Sequence, residues 1–430
     1  MAKEKTEKIF RYSPPGDKSI SQRALIACSL ARGTSTIKNL SSCEDSLFCL
    51  KAIKKAGAKV YSAAGDKIYI KGGFPRRYKK TLNLSCGESA TAMRLLAAAL
   101  CGSGIGKIKL KASGTLRKRS MSDLIEILKQ LGAKIKSDRH GRPPLTIENS
   151  CLKAARVKSE KISAQLKSAA LFAALSAQGE TSFEEKFPTR DHTERLLKFM
   201  GAFLKRKKNK IIIRGCRLKK AKITIPGDFS CAAFLIAAAV LTPNAAIKAE
   251  KVGLNPLRTG FLKALKKMKA RIKVVKQKNH FGFEPQGNIL AFYSPRLKGA
   301  KFSKNELFTM IDEIPILAVI ACAASGTTKI PLYDSLKNKE SDRIKAIIFL
   351  LKKIGADFSF SRNYFTIKGD RPLKGGLSSS FFSDHRIIMA AEVASLICER
   401  PIITKNKKAV KKSYPDFFGD FKKFKQLNGL

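Results

Sequence analysis

Tryptophan is absent from this chain of 430 residues, and histidine is scarce, with only four residues. Ten cysteines are scattered along the chain without a single C-x-x-C pair. With so few histidines, no Cys/His cluster has the spacing of a zinc site, so a zinc-binding module is excluded. Cys28, Cys101, Cys322 and Cys398 stand among apolar neighbours. We therefore expect small buried thiols in a reducing compartment rather than disulfide partners.

Long apolar runs are also missing. The alanine-rich stretches are too short to cross a bilayer, which takes about 20 apolar residues. The chain starts with Met1-Ala2-Lys3-Glu4, and no long apolar stretch follows, so it lacks a signal-peptide pattern. The sequence accordingly predicts a cytoplasmic protein with no membrane partner.

Acidic residues are few, 33 against 85 lysines and arginines, which gives a formal net charge of +52 at pH 7. Such a field attracts anions, and it keeps open the alternative of a nucleic-acid-binding protein. The basic residues are spread over the whole length, however, and no aromatic-basic RNA-binding signature occurs. We therefore expect a solvated basic surface, small anionic substrates and no nucleic-acid partner.

The chain does contain a phrase that occurs twice. Pro15-Gly16-Asp17-Lys18-Ser19 near the start matches Pro226-Gly227-Asp228-Phe229-Ser230 just past the middle, and an alanine-rich run follows each. The duplication and the length both predict two domains. We place the first at 15–226 and the second at 1–14 plus 227–430, with chain crossings near Pro15-Gly16 and Pro226-Gly227. The N-terminal strand, roughly Lys8–Pro14, should pair with the second half.

Six stretches inside these halves repeat one plan: a polar start, a helix of small and aliphatic residues, and a breaker. The predicted helices are 19–30, 88–100, 163–175, 230–241, 312–324 and 384–397. A second repeated element is a helix end with glycine in the left-handed cap position, at Gly57, Gly132, Gly201 and Gly355. Lys269 stands at the fifth such place, so we expect that helix to end differently. The chain thus reads as six units in two halves of three.

The starts of these helices carry the residues most relevant to function. A helix N-terminus has unpaired N–H groups and a partial positive charge, and it attracts anions by about 0.3–1 kcal/mol. Asp228 and Ser230 are interpreted as ordinary caps. Arg23, Arg94 and Arg386 are different, because they lie on otherwise apolar helices and a buried arginine needs an anionic partner. Several such helix starts aimed into one cleft would form a strongly positive cavity.

Six phrases, taken in order, resemble those of the EPSP synthase family, the 3-phosphoshikimate 1-carboxyvinyltransferases. They are Pro15-Gly16-Asp17-Lys18-Ser19-Ile20-Ser21-Gln22-Arg23, Thr91-Ala92-Met93-Arg94, Ser163-Ala164-Gln165, Thr189-Arg190-Asp191-His192-Thr193, Lys339-Glu340-Ser341-Asp342-Arg343 and Asp384-His385-Arg386. The resemblance runs from about Pro14 to Phe418. It implies an α/β fold, a two-domain inverse α/β barrel in which each domain has three βαβαββ units.

The resemblance also implies an activity. Enzymes of this family transfer the enolpyruvyl group of phosphoenolpyruvate to the 5-hydroxyl of shikimate 3-phosphate in the chorismate pathway, and no metal or organic cofactor is expected. Shikimate 3-phosphate binding falls to Lys18, Ser19, Arg23, Ser163, Ala164, Gln165, Arg190, Asp312 and Lys339. Phosphoenolpyruvate binding falls to Lys18, Ala90, Arg119, Gln165, Arg343, Arg386 and Lys412. Glu340 is the expected proton donor and Asp312 the expected base, with Lys18 beside them as a catalytic residue.

Some positions depart from the family pattern. Glu88 and Ala90 stand where the family usually has asparagine and glycine. The Ala90 methyl should narrow the phosphoenolpyruvate pocket, which predicts a glyphosate-tolerant type, because glyphosate is the bulkier occupant. Arg119 follows a segment that looks shortened, and Ser120 replaces the usual proline.

The nearest alternative is the related enolpyruvyl transferase that acts on UDP-N-acetylglucosamine. That enzyme normally uses a reactive cysteine in a mobile loop, whereas Cys86 and Cys101 stand in apolar or capping contexts. The phrase from Lys339 to Arg343 also favours shikimate 3-phosphate. We expect the protein to act as a monomer.

Overall fold

The chain divides into two compact units in a computed structural model that describes residues 8–62, 66–74, 81–277, 282–332, 336, 341–361, 363–376, 378–379 and 383–430. Unit I comprises Gly16–Ile225 and Phe281–Glu284. Unit II comprises Met1–Pro15, Pro226–His280 and Pro285–Leu430. The predicted site residues Lys339 and Glu340 lie outside the described residues.

Helices and strands alternate along both units. The helices are α1 Lys18–Leu30, α2 Glu44–Lys55, α3 Ala90–Leu100, α4 Ser122–Gln130, α5 Ala164–Ala174, α6 His192–Phe199, α7 Phe229–Leu241, α8 Gly260–Lys267, α9 Lys304–Phe308, α10 Ile314–Cys322, α11 Arg343–Ile354, α12 His385–Ala394 and α13 Phe417–Leu427. The strands are β1 Ile9–Tyr12, β2 Thr34–Lys38, β3 Lys59–Ser62, β4 Lys67–Lys71, β5 Leu82–Ser85, β6 Lys107–Lys111, β7 Lys134–Lys136, β8 Leu145–Glu148, β9 Arg156–Lys158, β10 Glu180–Glu184, β11 Leu204–Lys207, β12 Lys210–Arg214, β13 Lys222–Thr224, β14 Ala246–Gly253, β15 Ile272–Lys276, β16 Gln286–Phe292, β17 Thr327–Pro331, β18 Asp357–Phe360, β19 Tyr364–Lys368, β20 Ser378–Ser379 and β21 Ile403–Thr404. Short 3₁₀ segments occupy Gly114–Lys118, Ser395–Ile397 and Lys407–Lys412.

The sheets of unit I repeat one topology. Their strand orders are β13-β2-β4-β3, β5-β6-β8-β7 and β9-β10-β12-β11. In each sheet the first two strands are parallel and the other pairings are antiparallel. Unit II contains the sheet β1-β14-β16-β15 with the same pattern, together with β17-β19-β18 and β20-β21. In the sheets β5-β6-β8-β7 and β9-β10-β12-β11, the parallel pair is joined through one helix and an antiparallel hairpin follows, which is the βαβαββ plan.

The alanine-rich helices form the interior of each unit. In unit I, α3 packs on both α1 and α5, and in unit II, α7, α10 and α12 pack on one another. All of α7 is buried, as expected for a helix that is apolar on every side. The described residues include no helix long and apolar enough to span a membrane. Burial within each unit therefore accounts for the apolar character of these helices.

Side-chain caps start five of the six repeated helices. Asp17, Ser89, Ser163, Asp228 and Asp384 each accept a hydrogen bond from a backbone N–H of the first turn. The one repeated helix without a side-chain cap is α10, which follows Glu313 and has a proline in its first turn, at Pro315. The predicted cap Asp228 is thereby confirmed, whereas Glu88, expected to open the second helix, precedes its actual cap.

The repeated Pro-Gly-Asp phrase lies at two of the places where the chain passes from one unit to the other. β1 pairs in parallel with β14 in unit II, as predicted for the N-terminal strand, and β13 pairs in parallel with β2 in unit I. A side chain at Gly16 would overlap the carbonyl of Asn39, and a Cβ at Gly227 would lie 2.6 Å from Cγ of Pro14. Glycine is required at both places because the backbone runs so close to its neighbour.

Lys269 corrects one expectation. The helix before it, α8, ends like its counterparts, and Lys269 takes the left-handed conformation with φ of 63°, as Gly57, Gly132 and Gly201 do with φ of 112°, 85° and 89°. The Met268 N–H bonds to the Ala264 and Lys266 carbonyls, and the Ala270 N–H bonds to the Leu265 carbonyl. These bonds hold the turn, so the packing of the unit overrides the steric preference of the residue.

We predict that Lys269→Gly stabilises the protein. The left-handed conformation of a lysine costs about 1–2 kcal/mol, and glycine relieves this strain. Glycine also lowers the stability by about 0.4–1 kcal/mol, because its unfolded state has more conformational entropy. The net gain should be about 0.5–1 kcal/mol in the free energy of unfolding, measured by urea denaturation. Lys263→Gly, an exposed position inside α8, is the matched control and should destabilise by about 1 kcal/mol. If Lys269→Gly destabilises as much as the control does, the strain argument is wrong.

Candidate active site

Arg23 is a buried guanidinium held by neutral oxygens. It lies on α1 with 3% of its surface exposed. Its Nε donates to Thr193 Oγ1 at 2.8 Å, its Nη1 to the Ser19 carbonyl at 2.8 Å and its Nη2 to Ser168 Oγ at 2.9 Å. Within the described part of the chain, no carboxylate lies within ion-pair distance of it. Burial lowers the pKa of Arg23 to about 10, although the more distant carboxylates of Asp17 and Glu194 act in the opposite direction.

Lys18 is the first residue of α1, five residues before Arg23. Its Nζ forms an ion pair with Asp45 Oδ2 at 3.0 Å, and both side chains are mostly buried. Asp17 caps the helix by accepting from the Ile20 N–H at 2.8 Å. The first two turns of α1 therefore carry Lys18, Ser19 and Arg23, and the N-terminal partial charge of the helix adds to the charges of the lysine and the arginine.

Gln165 joins the starts of α3 and α5. Its Nε2 donates to Thr91 Oγ1 at 2.8 Å, and its Oε1 accepts a hydrogen bond from Arg94 Nη1. Burial, and secondarily the charge of Arg119, lower the pKa of the half-buried Arg94 to about 10. Two predicted site residues, Gln165 and Arg119, thus lie around Arg94, which the predicted site did not include.

Ala90 is the first residue of α3 and is 5% exposed. Glu88, two residues earlier, accepts a hydrogen bond from Thr115 Oγ1 at 2.9 Å. Thr115 lies in the 3₁₀ segment that leads to Arg119. Glu88 therefore anchors the segment before Arg119, a role that the sequence alone did not reveal.

Lys167 supports the segment that carries Arg190. This lysine is fully buried on α5, where its Nζ contacts Glu194 Oε1 at 2.7 Å and Glu185 at 3.3 Å. It also donates to the Thr189 carbonyl at 3.0 Å, next to Arg190. Burial raises the pKa of Glu194 in spite of the lysine. The network ties α5, which starts at Ala164 after its cap Ser163, to the segment before α6.

Asp312 is the centre of an arginine cluster in unit II. Its Oδ1 lies 3.1 Å from Arg343 Nη1 and 3.6 Å from Arg386 Nε, and its Oδ2 lies 3.4 Å from Arg258 Nη1. Arg343 also contacts Asp384 Oδ2 at 3.1 Å and is 1% exposed. Opposite charges at this distance favour the ionised carboxylate of Asp312.

Arg258 is a member of this cluster that sequence reasoning missed. It lies in the turn before α8, and its Nη1 is 3.3 Å from Glu313 Oε1. The turn has no periodic pattern, and no family phrase covers it. A buried arginine beside two neighbouring acidic residues, Asp312 and Glu313, is recognisable only from the fold.

The described site residues fall into two sets, one in each unit. Unit I holds Lys18, Ser19, Arg23, Ala90, Arg119, Ser163, Ala164, Gln165 and Arg190, and unit II holds Asp312, Arg343, Arg386 and Lys412. Lys412 is half-buried at the end of the 3₁₀ segment Lys407–Lys412. Lys339 and Glu340 are not among the described residues.

Cys86 and Cys101 are unreactive by environment. Both are fully buried, and burial raises the pKa of each thiol to about 12. Thiol nucleophiles need the thiolate form and access to substrate. Neither residue suits the cysteine role of the UDP-N-acetylglucosamine enzyme.

Comparison with known proteins identifies the family. A family model described as EPSP synthase (3-phosphoshikimate 1-carboxyvinyltransferase) matches residues 11–421. The chain belongs to the EPSP synthase family. Relatives named 3-phosphoshikimate 1-carboxyvinyltransferase from Petrotoga mobilis and Bacillus subtilis are 38% and 37% identical, covering 96% and 94% of this chain and 96% and 94% of their own. The predicted enzyme class is thereby confirmed.

Solved structures agree with this assignment. EPSP synthase from Acinetobacter baumannii superposes with a TM-score of 0.85 at 33% identity, covering 96% of this chain and 95% of that one. The enolpyruvyl transferase NikO from Streptomyces tendae matches with a TM-score of 0.75 at 15% identity, which shows the fold alone. The predicted two-domain α/β fold class is confirmed.

We predict that Arg258→Met strongly destabilises this EPSP synthase. The fully buried Glu313 would lose the cation that it faces, and breaking a buried ion pair from one side costs about 3–5 kcal/mol. Urea denaturation should show this loss, whereas Arg296→Met, an exposed arginine of the same unit, should stay within about 0.5 kcal/mol of the unchanged protein. Equal stability of the two variants would mean that the cluster contributes nothing to folding.

Proposed function

We propose that this enzyme binds two anionic substrates, shikimate 3-phosphate and phosphoenolpyruvate, through the residues that the family resemblance assigns to each. The enzyme transfers the enolpyruvyl group of phosphoenolpyruvate to the 5-hydroxyl of shikimate 3-phosphate and releases phosphate. Each substrate carries a phosphate and a carboxylate, so the site must supply several cations.

One observation carries this proposal: Arg23 is buried among neutral oxygens. A guanidinium has five N–H donors, and three of those of Arg23 are used by Thr193, Ser19 and Ser168. One N–H on each terminal nitrogen remains, which suits the bidentate binding of a phosphate. The cost of burying this charge is recovered when an anion arrives.

Shikimate 3-phosphate is the ligand that we assign to this place. Lys18, Ser19 and Arg23 bind its phosphate and ring from α1, with Arg190 adjacent. Ser163, Ala164 and Gln165 contribute from the start of α5, and Asp312 and Lys339 complete the set. Lysine adds a point charge and arginine a planar fork that fits a phosphate or a carboxylate.

We assign phosphoenolpyruvate binding to Lys18, Ala90, Arg119, Gln165, Arg343, Arg386 and Lys412. Arg386 supports this assignment, because its Nε lies 3.6 Å from Asp312 and makes no hydrogen bond within the described residues, although it is buried. Its Nη1 donates to the Asp312 carbonyl at 3.4 Å, and its remaining N–H groups can bind a substrate carboxylate. Gln165 is held between Thr91 and Arg94, so its amide has a defined orientation for either substrate.

The chemistry requires one acid and one base. Glu340 donates a proton to the methylene carbon of phosphoenolpyruvate while the 5-hydroxyl oxygen attacks C2, and Asp312 takes the hydroxyl proton. The tetrahedral adduct then loses phosphate and a methyl proton, which restores the double bond, as the same groups reverse their roles. Arg258, Arg343 and Arg386 keep Asp312 ionised, which is the form that a base needs.

Two alternatives are weaker. A UDP-N-acetylglucosamine transferase would need a reactive cysteine, and Cys86 and Cys101 are buried thiols of high pKa. A nucleic-acid-binding role rests on the net charge of +52 alone. Filter binding of the protein to nucleic acid over a salt series tests this role, since sub-micromolar binding at physiological salt would revive it.

We further propose that the protein is a cytoplasmic monomer. Cell fractionation would test the location, and light scattering would test the oligomeric state.

Phosphate release from purified protein with both substrates tests the assigned reaction. We predict that Glu340→Gln loses turnover by a factor of about 100 or more, since general acid catalysis contributes about 10²–10⁴-fold. The variant should still bind both substrates in calorimetry, because the amide keeps the size of the side chain. Glu399→Gln, at an exposed position, is the control and should retain full activity. Turnover of Glu340→Gln within tenfold of the unchanged enzyme would remove Glu340 as the acid.

We propose that Ala90 makes this enzyme the glyphosate-tolerant type. Ala90 is the first residue of α3 and is 5% exposed, and in this proposal its methyl group narrows the phosphoenolpyruvate pocket. Ala90→Gly should lower the glyphosate concentration for half-inhibition by about tenfold or more, since steric overlap costs about 1–3 kcal/mol. The KM for phosphoenolpyruvate, a smaller ligand, should change less than the inhibition constant. Strong inhibition of the unchanged enzyme at micromolar glyphosate would contradict the proposal.

A further inference from the structure

Two buried hydroxyl groups join Arg23 to the start of α5. Ser168 on α5 and Thr193 on α6 are fully buried, and neither belongs to the predicted site. Thr193 Oγ1 accepts from Arg23 Nε at 2.8 Å and donates to Ser168 Oγ at 2.7 Å. Ser168 Oγ also accepts from Arg23 Nη2 at 2.9 Å and donates to the Ala164 carbonyl at 2.6 Å. We call this chain of bonds the hydroxyl relay.

The hydrogen bonds of the relay can have only one donor-to-acceptor direction, from Arg23 towards the Ala164 carbonyl. A guanidinium has no acceptor and a carbonyl has no donor, so both ends are fixed. Each hydroxyl therefore points its hydrogen away from Arg23 and turns its lone pairs towards it. Removing either hydroxyl would leave an N–H of a buried cation without an acceptor, which is costly in this environment.

The relay determines how Arg23 faces a ligand. Two of its three protein bonds, at Nε and Nη2, lie along one edge of the planar guanidinium, and the third, from Nη1 to Ser19, holds the other side. These three bonds fix the plane of the group. The two remaining N–H groups then have fixed directions, and bidentate binding of a phosphate is sensitive to those directions.

We propose that Ser168 and Thr193 are positioning residues for shikimate 3-phosphate, because they fix the plane of Arg23 for an anionic group of this substrate. This inference rests on the proposed function, which takes Arg23 as a ligand-binding residue. A purely structural role, in which the relay only joins α1, α5 and α6, is the competing interpretation. The two differ in whether ligand affinity changes separately from stability.

The test measures the dissociation constant of shikimate 3-phosphate without phosphoenolpyruvate, by calorimetry. Thr193→Val keeps the shape of the side chain and should weaken binding by about five- to fiftyfold. Its kcat and its KM for phosphoenolpyruvate should stay within about twofold, because the relay touches neither the acid nor the base. Thr193→Ser, which restores the hydroxyl, should recover the affinity. Ser168→Ala should act in the same direction and serves if Thr193→Val does not fold.

Thr181→Val is the matched control. Thr181 lies on β10 in the same unit, is 1% exposed, and its Oγ1 makes no hydrogen bond within the described residues. The substitution removes the same atoms and should leave the affinity unchanged. If Thr193→Val and Ser168→Ala fold and bind within twofold of the unchanged enzyme, the positioning role is overturned.

Arg23→Met separates failure of this inference from failure of the proposed function. If Arg23→Met loses binding while the relay variants keep it, only the positioning role fails. If Arg23→Met binds shikimate 3-phosphate as tightly as the unchanged enzyme, the assignment of Arg23 to the substrate is wrong, and the positioning role is overturned with it.

Discussion

A buried guanidinium loses its hydration, and other interactions must compensate for that loss. The groups that surround the buried arginines differ between the two units, and this difference sets the electrostatics of each set of site residues. In unit I, Arg23 is surrounded by hydroxyl and carbonyl oxygens, which satisfy N–H groups but do not neutralise the charge. In unit II, Arg258 and Arg343 contact the carboxylates of Asp312, Glu313 and Asp384. The first arrangement favours the entry of an anion, and the second stabilises an ionised carboxylate.

This difference matches the roles that we propose for Arg23 and Asp312. In that proposal, an anionic group of the substrate completes the charge balance around Arg23, so binding energy is available from a site that is already in place. A base must instead stay ionised before the substrate arrives, and three arginines around Asp312 favour that state. The same fold, duplicated, thus carries two different electrostatic environments at the starts of equivalent helices.

Sequence reasoning predicted the parts of the fold that depend on local chemistry. The alanine-rich helices, their caps such as Asp228 and the parallel pairing of the N-terminal strand could be read from composition and from the repeated phrase. Lys269 could not, because the hydrogen bonds of the unit hold a conformation that its side chain disfavours. The fold class and the family followed from six short phrases that retain their order.

The site was less accessible from sequence. Lysines, arginines and Gln165 stand in recognisable phrases, whereas Arg258 lies in a turn and joins the cluster only through folding. Ser168 and Thr193 resemble any interior polar residues until their bonds to Arg23 are seen. Glu88 could not be explained without its contact to Thr115. Second-sphere contacts of this kind depend on neighbours that are distant in the chain.

The pairing of β1 with β14, and of β13 with β2, affects the order in which the two units can fold during synthesis. Because β1 pairs with β14 through Ile9 and Ala246, the first strand emerges from the ribosome long before its partner exists. Unit I can close its sheet with β13 as soon as Thr224 is synthesised, whereas unit II needs both ends of the polypeptide. Synthesis therefore imposes an order of assembly, and during this interval the leading strand has an unsatisfied edge that cellular chaperones can recognise.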